Sequence, residues 1–461
     1  MRKIDVAVIG AGLGGLCAAA YLSKAGLNVL VLEKTPHLGG ACSVREVGGY
    51  RFDVGANYFG DRILKVFREL GWKKPFEVMP IKTRCIIKNM SMTHPFGYYS
   101  LRELASLGIS RKEMSVIFLR FLGQFMPGAH SDLTSFSEVV DSVTGNSNLK
   151  EFFNIEAFLL GSRPESMPSY MFNVVMGTYY GYHKPFYPQG GSAAIPETFL
   201  KIIEQNNGEV RLSSPVTDIV SKGGRAAGVQ SGGEFIESRF VVSGLTVRKT
   251  ISKVSGGNGF SQGYLDRISR YREGLKLATI FTAFKKNTPL ERGIHTIVGT
   301  EGDVRGSLNT LFSGGFPEKP VFCFTCPDML FPSTSADSRP YLATIRFFTP
   351  IKNSAEEEVF REGEKVLSSV SKLLPGVMEG LIWKKIVTAD EFAAEFGFSS
   401  CAAPVAESLE YPKHSCVLPL KNLYCAGATV LAKGCHAGSA VESGRQCAGL
   451  ILREHKEAKS V

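Results

Sequence analysis

The chain has 461 residues, of which 44% are hydrophobic and 21% charged, as in a globular protein with two or three structural units. Its net charge of +10 suits an anionic cofactor, an anionic membrane surface or a nucleic acid, but no basic block is interleaved with aromatic residues, so we expect no nucleic-acid partner. Ten scattered cysteines fit neither a disulfide framework nor paired zinc-ligand spacing, so we expect a reducing compartment and no metal.

The first 33 residues predict a dinucleotide-binding βαβ unit. A buried parallel strand over residues 4–9 runs into a GxGxxG turn, followed by a helix over 13–23 and a strand over 28–32 that ends at Glu33. Glu33 can accept hydrogen bonds from ribose hydroxyls, and its charge disfavours a 2′-phosphate. Backbone N–H groups at the start of the helix suit a pyrophosphate. The residues expected to line it are Gly10, Gly12, Leu13, Gly14 and Gly15. This unit alone leaves NAD and FAD open.

The segment after Glu33 separates FAD from NAD. A polar loop ends in Gly39-Gly40-Ala41, and a Gly-Tyr-Arg-Phe-Asp-Val-Gly run spans residues 49–55. Residues 1 to about 58 thereby resemble the phytoene desaturase, carotenoid isomerase and retinol saturase branch of the FAD-dependent amine-oxidase-like flavoproteins. The resemblance implies FAD as the cofactor. It adds as binding residues Lys34, Gly40, Ala41, Asp53 and Gly55. Ala41 departs from the family, which usually carries Arg there, so one expected contact to the FAD phosphates is missing.

The middle of the chain predicts an inserted substrate domain. Residues 61 to about 185 are rich in helical patterning, and a Tyr-Pro-Gln-Gly-Gly turn follows at residues 187–191. By the resemblance, this turn returns the chain to the FAD domain, whose next strands, Val216 among them, lie over the adenosine half. The fold class is therefore α/β, a glutathione-reductase-type FAD-binding Rossmann domain with an α+β substrate domain inserted. We expect FAD-domain segments 1–75, 186–264 and 396–461 and substrate-domain segments 76–185 and 265–395.

The C-terminal region carries a second cofactor motif. Residues 421–428 predict a strand into a glycine turn, and a helix follows from about residue 437. The region is similar to the closing FAD motif of phytoene desaturases, which holds the ribityl chain and the flavin ring. The resemblance implies contacts from Gly427, Ala428, Gly438, Ser439 and Ala440. Ala428 stands where many flavoproteins have an acidic residue. The helix start would stabilise the negative charge of the reduced flavin.

Candidate catalytic groups are few. His436 lies at the start of the C-terminal helix, and His183 precedes the Tyr-Pro-Gln-Gly-Gly turn within an aromatic cluster; either can instead be a hydrogen-bonded packing residue. The resemblance implies a desaturase, saturase or isomerase that moves hydride through flavin N5 on an unsaturated, isoprenoid or other lipid-like apolar substrate. An amine or amino-acid oxidase and a non-catalytic prenyl-binding escort-type protein share the fold and stay open. Without an evident second nicotinamide-binding motif, we expect a quinone or oxygen as electron acceptor.

The sequence also bears on the cellular compartment. We expect no signal peptide, because the glycine motif interrupts the apolar run from Ile4, and no run approaches the roughly 20 apolar residues of a membrane-spanning helix. We therefore expect a cytoplasmic protein, with peripheral contact at the inner face of a membrane left open. The run from Met114 to Met126, flanked by Arg111, Lys112 and Arg120, fits either a helix that dips into a bilayer surface or a core helix, and the core helix is the preferred interpretation.

Overall fold

The computed structural model describes residues 2–96, 100–123, 134–255, 259–271, 274–331, 339–352, 354–397, 414–430 and 437–457. Its strands are, in chain order, β1 (Arg2–Ile9), β2 (Val29–Leu32), β3 (Val44–Val47), β4 (Tyr50–Asp53), β5 (Val78–Pro80), β6 (Thr83–Ile87), β7 (Met90–His94), β8 (Phe186–Pro188), β9 (Glu209–Arg211), β10 (Val216–Lys222), β11 (Arg225–Ser231), β12 (Glu234–Ser243), β13 (Val254–Ser255), β14 (Leu277–Phe284), β15 (Thr296–Thr300), β16 (Phe322–Thr325), β17 (Tyr341–Phe348), β18 (Leu381–Val387) and β19 (Leu423–Cys425).

The helices are α1 (Leu13–Lys24), α2 (Asp61–Glu69), α3 (Ser100–Ser106), α4 (Arg111–Gly123), α5 (Phe136–Val143), α6 (Ser147–Leu159), α7 (Tyr170–Tyr179), α8 (Ala194–Gln205), α9 (Val247–Ser252), α10 (Gln262–Arg270), α11 (Val304–Ser313), α12 (Glu356–Leu373), α13 (Ala389–Phe396) and α14 (Ala437–Glu457). Several begin at side-chain caps that satisfy their first free N–H groups. Ser135 and Thr388 close capping boxes at α5 and α13, for example.

The first sheet builds the nucleotide-binding part. Strands β9, β2, β1, β12 and β19 run parallel, and β10 and β11 continue the sheet antiparallel beside β12. The β2 strand is buried throughout, as expected of an interior parallel strand covered on both faces. Helix α1 packs against α8 and α14 on this sheet. The strand–helix–strand start of the chain, predicted from its glycine turn and apolar runs, is present as β1, α1 and β2.

The second sheet has the order β18-β14-β17-β16-β15-β6-β7 and is antiparallel except for the β15–β6 pair. Its strands come from two stretches of the chain, residues 83–94 and 277–387, which flank strands β9 to β13 of the first sheet. Helix α12 packs against β14 and β15, and α6 packs against β6. Cys323 lies on β16 and is a free thiol. The exact limits predicted for the two domains stay a prediction.

The β3–β4 hairpin joins the two sheets. Phe52 packs against Phe281 of β14, with 5.0 Å between ring centroids, and both belong to one apolar cluster. An ideal Cβ on Gly48 would lie 2.1 Å from the Trp383 ring, so the hairpin tip contacts β18 directly. The hairpin follows β1 and β2 in the chain. Its contacts with β14 and β18 therefore place the N-terminal βαβ unit close to the second sheet.

Helix α4 lies on the surface. It packs against α5 and α7 through Ile117 while Val116, Phe118, Leu119 and Leu122 are exposed, Leu119 by 65%. The preferred interpretation of a core helix is therefore wrong for this face. Residues 124–126 of the predicted run lie outside the described residues. In the part of the chain that the structure describes, no helix is both long and apolar enough to span a bilayer.

Candidate functional site

The glycine turn between β1 and α1 is shaped by close backbone contacts. Gly10 has φ 90°, a conformation that glycine adopts without strain. An ideal Cβ on Gly15 would lie 2.4 Å from the Gly10 carbonyl oxygen, so no side chain fits there. A Cβ on Gly12 would meet no atom within 4 Å. The turn is therefore tight on its inner side and open at Gly12, where α1 begins and its free N–H groups point outward.

Glu33 lies directly after β2 and is buried. Its carboxylate accepts hydrogen bonds from the Ala11 N–H (2.8 Å) and from the N–H and hydroxyl of Thr35 (2.9 and 3.0 Å). Its backbone carbonyl accepts the Ser214 N–H at 2.7 Å, which brings the segment just before Val216 alongside. The predicted adenosine-side residues Glu33 and Val216 thus lie on neighbouring segments.

A second turn closes over the first. Gly39 and Gly12 form a parallel bridge, and an ideal Cβ on Gly40 would lie 3.4 Å from the Gly12 Cα. A Cβ on Gly55 would lie 2.1 Å from the Ala41 carbonyl oxygen. Close packing therefore gathers Gly12, Gly40, Ala41 and Gly55 in one place. The neighbouring prediction, Lys34, is exposed to solvent.

Arg45 was not singled out from the sequence. It lies on β3 and is only 8% exposed, and its Nη1 donates to the Val44 carbonyl at 3.1 Å. Its Nε is shielded from solvent and has no hydrogen-bond partner among the residues described. Burial lowers the pKa of the guanidinium, and the charge of Glu33 opposes that shift. A buried cation with a free donor thus lies near the Glu33 carboxylate, at the cofactor end of the hairpin.

The closing motif contacts the glycine turn directly. An ideal Cβ on Gly14 would lie 2.7 Å from the Gly427 nitrogen, and one on Gly444 would lie 2.3 Å from the Gly14 carbonyl oxygen. The Gly427 N–H donates to the Ser443 hydroxyl at 2.7 Å, which fixes the turn at Gly427 to α14. The two motifs predicted from opposite ends of the sequence therefore form one continuous surface. Ala428 is partly buried beside Gly427.

The start of α14 is described from Ala437 onward. Ser439 and Ala440 are buried there, and a Cβ on Gly438 would approach the Cβ of Arg62 in α2 at 4.0 Å. Helices α2 and α14 therefore begin side by side. His436 lies outside the described residues.

His183 lies between α7 and β8. Its backbone carbonyl accepts the Asp61 N–H at 3.2 Å, so it adjoins the start of α2. An ideal Cβ on Gly177 would lie 2.5 Å from its Nε2, which shows how closely the ring packs on α7. Burial lowers the pKa of the imidazole, so the neutral form is favoured. Of the aromatic cluster around it, Tyr179 and Tyr187 are buried and Tyr182 is exposed.

Asp53 links three segments of the chain. Its carboxylate accepts hydrogen bonds from the Tyr187 hydroxyl, from the Ser192 hydroxyl at 2.8 Å and from the Ser192 N–H at 3.2 Å. Burial raises its pKa, and these hydrogen bonds oppose the shift. Its described contacts are thus made with protein groups, and the cofactor contact predicted for Asp53 stays a prediction.

Two further polar groups lie beside this link. The His295 ring stands 5.2 Å from the Tyr187 ring, and burial lowers its pKa to about 3, so it is neutral. Arg346 of β17 is buried and electrostatically coupled to Asp53, and its Nη2 has no partner within the described part of the chain. Neither was singled out from the sequence. His295 directly precedes β15 and Arg346 lies within β17, and the residues that pack against them come from distant segments of the chain. Within the described ranges, no three His, Cys, Asp or Glu side chains cluster as metal ligands would.

A family model for flavin containing amine oxidoreductase matches residues 13–452. The chain belongs to this family. The predicted branch, the glutathione-reductase-type fold class and FAD as the cofactor are confirmed.

Curated relatives of this flavin-containing amine oxidoreductase include an all-trans-retinol 13,14-reductase of Macaca fascicularis, 27% identical over 61% of this chain and 53% of the relative. A lycopene-forming phytoene desaturase of Pseudescherichia vulneris is 23% identical over 97% of this chain and 99% of the relative. The chain thus spans about half the length of that retinol reductase and nearly all of that desaturase.

Solved structures share the fold. An oxidoreductase from Methanosarcina mazei matches with a TM-score of 0.71 at 18% identity, covering 96% of this chain and 99% of that one. A fatty acid isomerase from P. acnes that produces CLA matches with a TM-score of 0.62 at 15% identity, covering 98% of each chain. At these identities the likeness establishes the architecture alone.

The residues present fit an extended, doubly charged dinucleotide. Gly12 faces open space at the N-terminus of α1, and the buried Arg45, which senses the charge of Glu33, has an unused Nε–H. Phosphate oxygens would satisfy such a donor. The same turn contacts Gly427 of the closing motif and Gly444 of α14, and the start of α14 extends the surface toward α2.

Proposed function

We propose that this protein is an FAD-dependent oxidoreductase that adds or removes hydrogen across a carbon–carbon bond of an isoprenoid or similar apolar polyene. The observation that carries the proposal is the match along nearly the whole chain to a phytoene desaturase, together with a cofactor surface whose two halves meet at Gly14 and Gly427. The similarity to a retinol 13,14-reductase supports the same substrate class. FAD, when bound, supplies the hydride chemistry through its N5 atom.

The chain's own groups would hold the cofactor in order along this surface. Glu33 would accept the adenosine ribose hydroxyls, and the N-terminus of α1 would bind the pyrophosphate. The start of α14 would lie at the flavin ring, where its free N–H groups favour negative charge. His183 and His436 stay candidates for contact with substrate or flavin, and an unchanged rate of flavin reduction after His436→Ala would dismiss that residue.

Arg45 would supply the phosphate contact that is missing at Ala41. We expect Arg45→Gln to weaken FAD binding about 10- to 100-fold, because a hydrogen bond to a charged group contributes about 1.5–3 kcal/mol. The dissociation constant can be measured by titrating the apoprotein with FAD and following flavin fluorescence.

Two variants make the Arg45 test specific. Arg51→Gln removes an exposed arginine from the adjacent strand and should leave the affinity unchanged. Ala41→Arg, added to Arg45→Gln, restores a guanidinium at the position where the family usually carries one, and Ala41 is exposed enough to accept it. Wild-type affinity in the single Arg45→Gln variant would contradict the assignment.

An apolar polyene would reach the protein from a membrane, and α4 offers a surface for that contact. Phe118 and Leu119 are exposed beside basic side chains of the same helix, the pattern of a helix that lies in a lipid interface. We expect Leu119→Glu to reduce co-sedimentation with anionic phospholipid vesicles several-fold. Leu212→Glu, at an exposed leucine before β10, is the matched control and should bind as wild type does. Equal binding by all three proteins would exclude α4 as the contact.

The electron partner is proposed to be a quinone or oxygen. A second glycine-rich nicotinamide motif is not evident in the sequence. We expect the reduced protein to be reoxidised by a soluble quinone analogue or by oxygen, and the oxidised protein not to be reduced by NADH or NADPH. Reduction by either nucleotide would assign the partner differently.

The reaction class is tested anaerobically. The purified protein should be yellow, and its flavin should exchange electrons with a polyene such as phytoene or all-trans-retinol, seen as a change in flavin absorbance with formation of a product of altered conjugation. Bleaching by amines instead would indicate an amine oxidase. Colourless protein that does not take up added FAD would exclude the enzyme and favour a prenyl-binding protein.

A further inference from the structure

Two buried polar groups from different segments lie near each other between the cofactor surface and the second sheet. Tyr58 lies in the loop after β4, and Glu156 lies on α6. The Tyr58 hydroxyl and the Glu156 Oε1 are both shielded from solvent, and neither makes a hydrogen bond of standard geometry with the residues described, although the Thr178 hydroxyl lies close enough to Tyr58, and the Tyr179 hydroxyl close enough to Glu156, to lower the pKa of each. A negative charge on Glu156 raises the pKa of Tyr58, which places the two side chains in the same region of the interior. Buried polar atoms without partners are rare and call for a functional explanation.

The position of Tyr58 relates the pair to the cofactor surface. The Tyr58 loop starts where the Ala56 N–H donates to the Ala41 carbonyl at 2.7 Å, beside the glycine turns. It ends at the start of α2, which lies against Gly438 at the start of α14. Tyr58 therefore stands toward the end of the surface that would hold the flavin ring, and Glu156 approaches it from the helices of the second sheet.

The surroundings of Glu156 favour its protonated form, so a large fraction of this carboxyl stays protonated near pH 7. Burial raises its pKa to about 7, and the Tyr179 hydroxyl only partly opposes the shift. The titratable groups that sense its charge are Tyr58, Tyr179 and Cys85, and burial raises the pKa of each, so all three are uncharged. His94, whose ring lies 4.6 Å from that of Tyr179, has its pKa lowered by burial to about 3 and is also neutral. None of these groups is a cation that would hold Glu156 ionised.

We propose that Glu156, with Tyr58 beside it, gives and takes the proton in the redox reaction of the substrate carbon–carbon bond. In the reducing direction, the carboxyl O–H bond breaks and its proton forms a C–H bond at one alkene carbon. The adjacent carbon receives a hydride with its electron pair from the reduced flavin, so the alkene is reduced and the flavin oxidised. The Glu156 carboxylate then regains a proton from water. Desaturation is the reverse, and this inference rests on the proposed function.

The test compares Glu156→Gln, Glu156→Asp and Tyr58→Phe with wild type in the complete FAD-loaded protein. The anaerobic reaction of the reduced flavin with all-trans-retinol and with phytoene is followed by stopped-flow absorbance. General acid–base catalysis contributes about 10²–10⁴-fold, so Glu156→Gln should slow this step at least about 100-fold. Its flavin spectrum and its reoxidation by oxygen should stay within about twofold of wild type. Glu156→Asp should recover part of the rate, and Glu204→Gln, at an exposed glutamate of α8, should have no effect.

Two pH profiles distinguish proton transfer from a structural role. In wild type, the rate of substrate reduction should fall as the pH rises through about 7, while Glu156→Gln should lose this dependence. In the apoprotein, the folded-state pKa of Glu156 lies above its ordinary 4.5, so its contribution to stability is lost as the pH rises from about 4.5 toward 7. The melting temperature of Glu156→Gln relative to wild type should therefore increase across that interval.

The outcomes separate the two proposals. A wild-type rate in Glu156→Gln, or an unchanged pH profile, would overturn the role of Glu156 and leave the proposed function standing. Wild-type protein that is yellow but exchanges electrons with no polyene would overturn the proposed function, and the role of Glu156 with it. A melting temperature of Glu156→Gln that tracks wild type at every pH would show that folding does not raise the pKa of Glu156, which also overturns the inference.

Discussion

Replacing Gly14 by alanine should abolish tight FAD binding, although the change adds a single methyl group. An ideal Cβ there lies 2.7 Å from the Gly427 nitrogen and 2.8 Å from the Ala426 carbonyl carbon, both backbone atoms that no side-chain rotation can move. The glycine turn and the closing motif must then separate, and each would bind a different part of the cofactor. We expect the FAD dissociation constant to rise at least about 100-fold, equivalent to roughly 2.7 kcal/mol. Flavin content after purification and fluorescence titration of the apoprotein measure it.

Gly449→Ala is the matched control. Gly449 also lies in a helix, α14, but a Cβ there meets no atom within 4 Å. Alanine is the better helix former, so this variant should gain about 0.5–1 kcal/mol of stability and keep its FAD affinity. If Gly14→Ala bound FAD as tightly as wild type, the contact between the two motifs would not be needed for the cofactor.

Loss of the Asp53 carboxylate should be the most destabilising polar substitution in the link between the sheets. Asp53→Ala leaves the Tyr187 hydroxyl and both donors of Ser192 without their acceptor. A buried donor left unpaired costs about 1–3 kcal/mol, so we expect a loss of about 2–4 kcal/mol in the free energy of unfolding. The shift of the denaturant midpoint, at constant slope, measures it.

Asp141→Ala provides the comparison for Asp53. Its carboxylate also has a partner, Lys150 at 2.5 Å, but the Asp141 side chain is 55% exposed. Exposed ion pairs contribute about 0–1 kcal/mol, so this variant should stay near wild type. Equal destabilisation by both substitutions would show that the Asp53 hydrogen bonds do not hold the segments together.

The cofactor surface could be predicted from the sequence because its features are local. The βαβ start and the closing strand–turn–helix each occupy a short stretch in which glycine spacing and apolar runs are decisive. The family resemblance implies that both motifs bind one cofactor, but the contact between Gly14 and Gly427 could not be predicted, since no local pattern states which distant turns meet.

Arg45 and Glu156 were missed for different reasons. Arg45 carries a weak local signal: it is two residues from the buried Val47 on β3, and strand alternation places both on one face. Glu156 lies four residues after the buried Phe152 and seven after Leu149, so it interrupts the apolar face of α6. Helical spacing could have marked it as a lone carboxylate in a core stripe. Its neighbour Tyr58 could not be inferred, because that pairing depends on how the two sheets pack.

The contact of Gly444 with Gly14 has a consequence for synthesis on the ribosome. Helix α1 leaves the ribosome early, but the segment that packs against its glycine turn is the second turn of helix α14. At roughly 5–20 residues per second, translation from Gly14 to Gly444 takes about 20–90 s. During this time the N-terminal βαβ unit of the nascent chain lacks its contact with α14. Flavin uptake should therefore follow translation of α14, and yellow colour in a growing culture would report chains that have completed this late docking step.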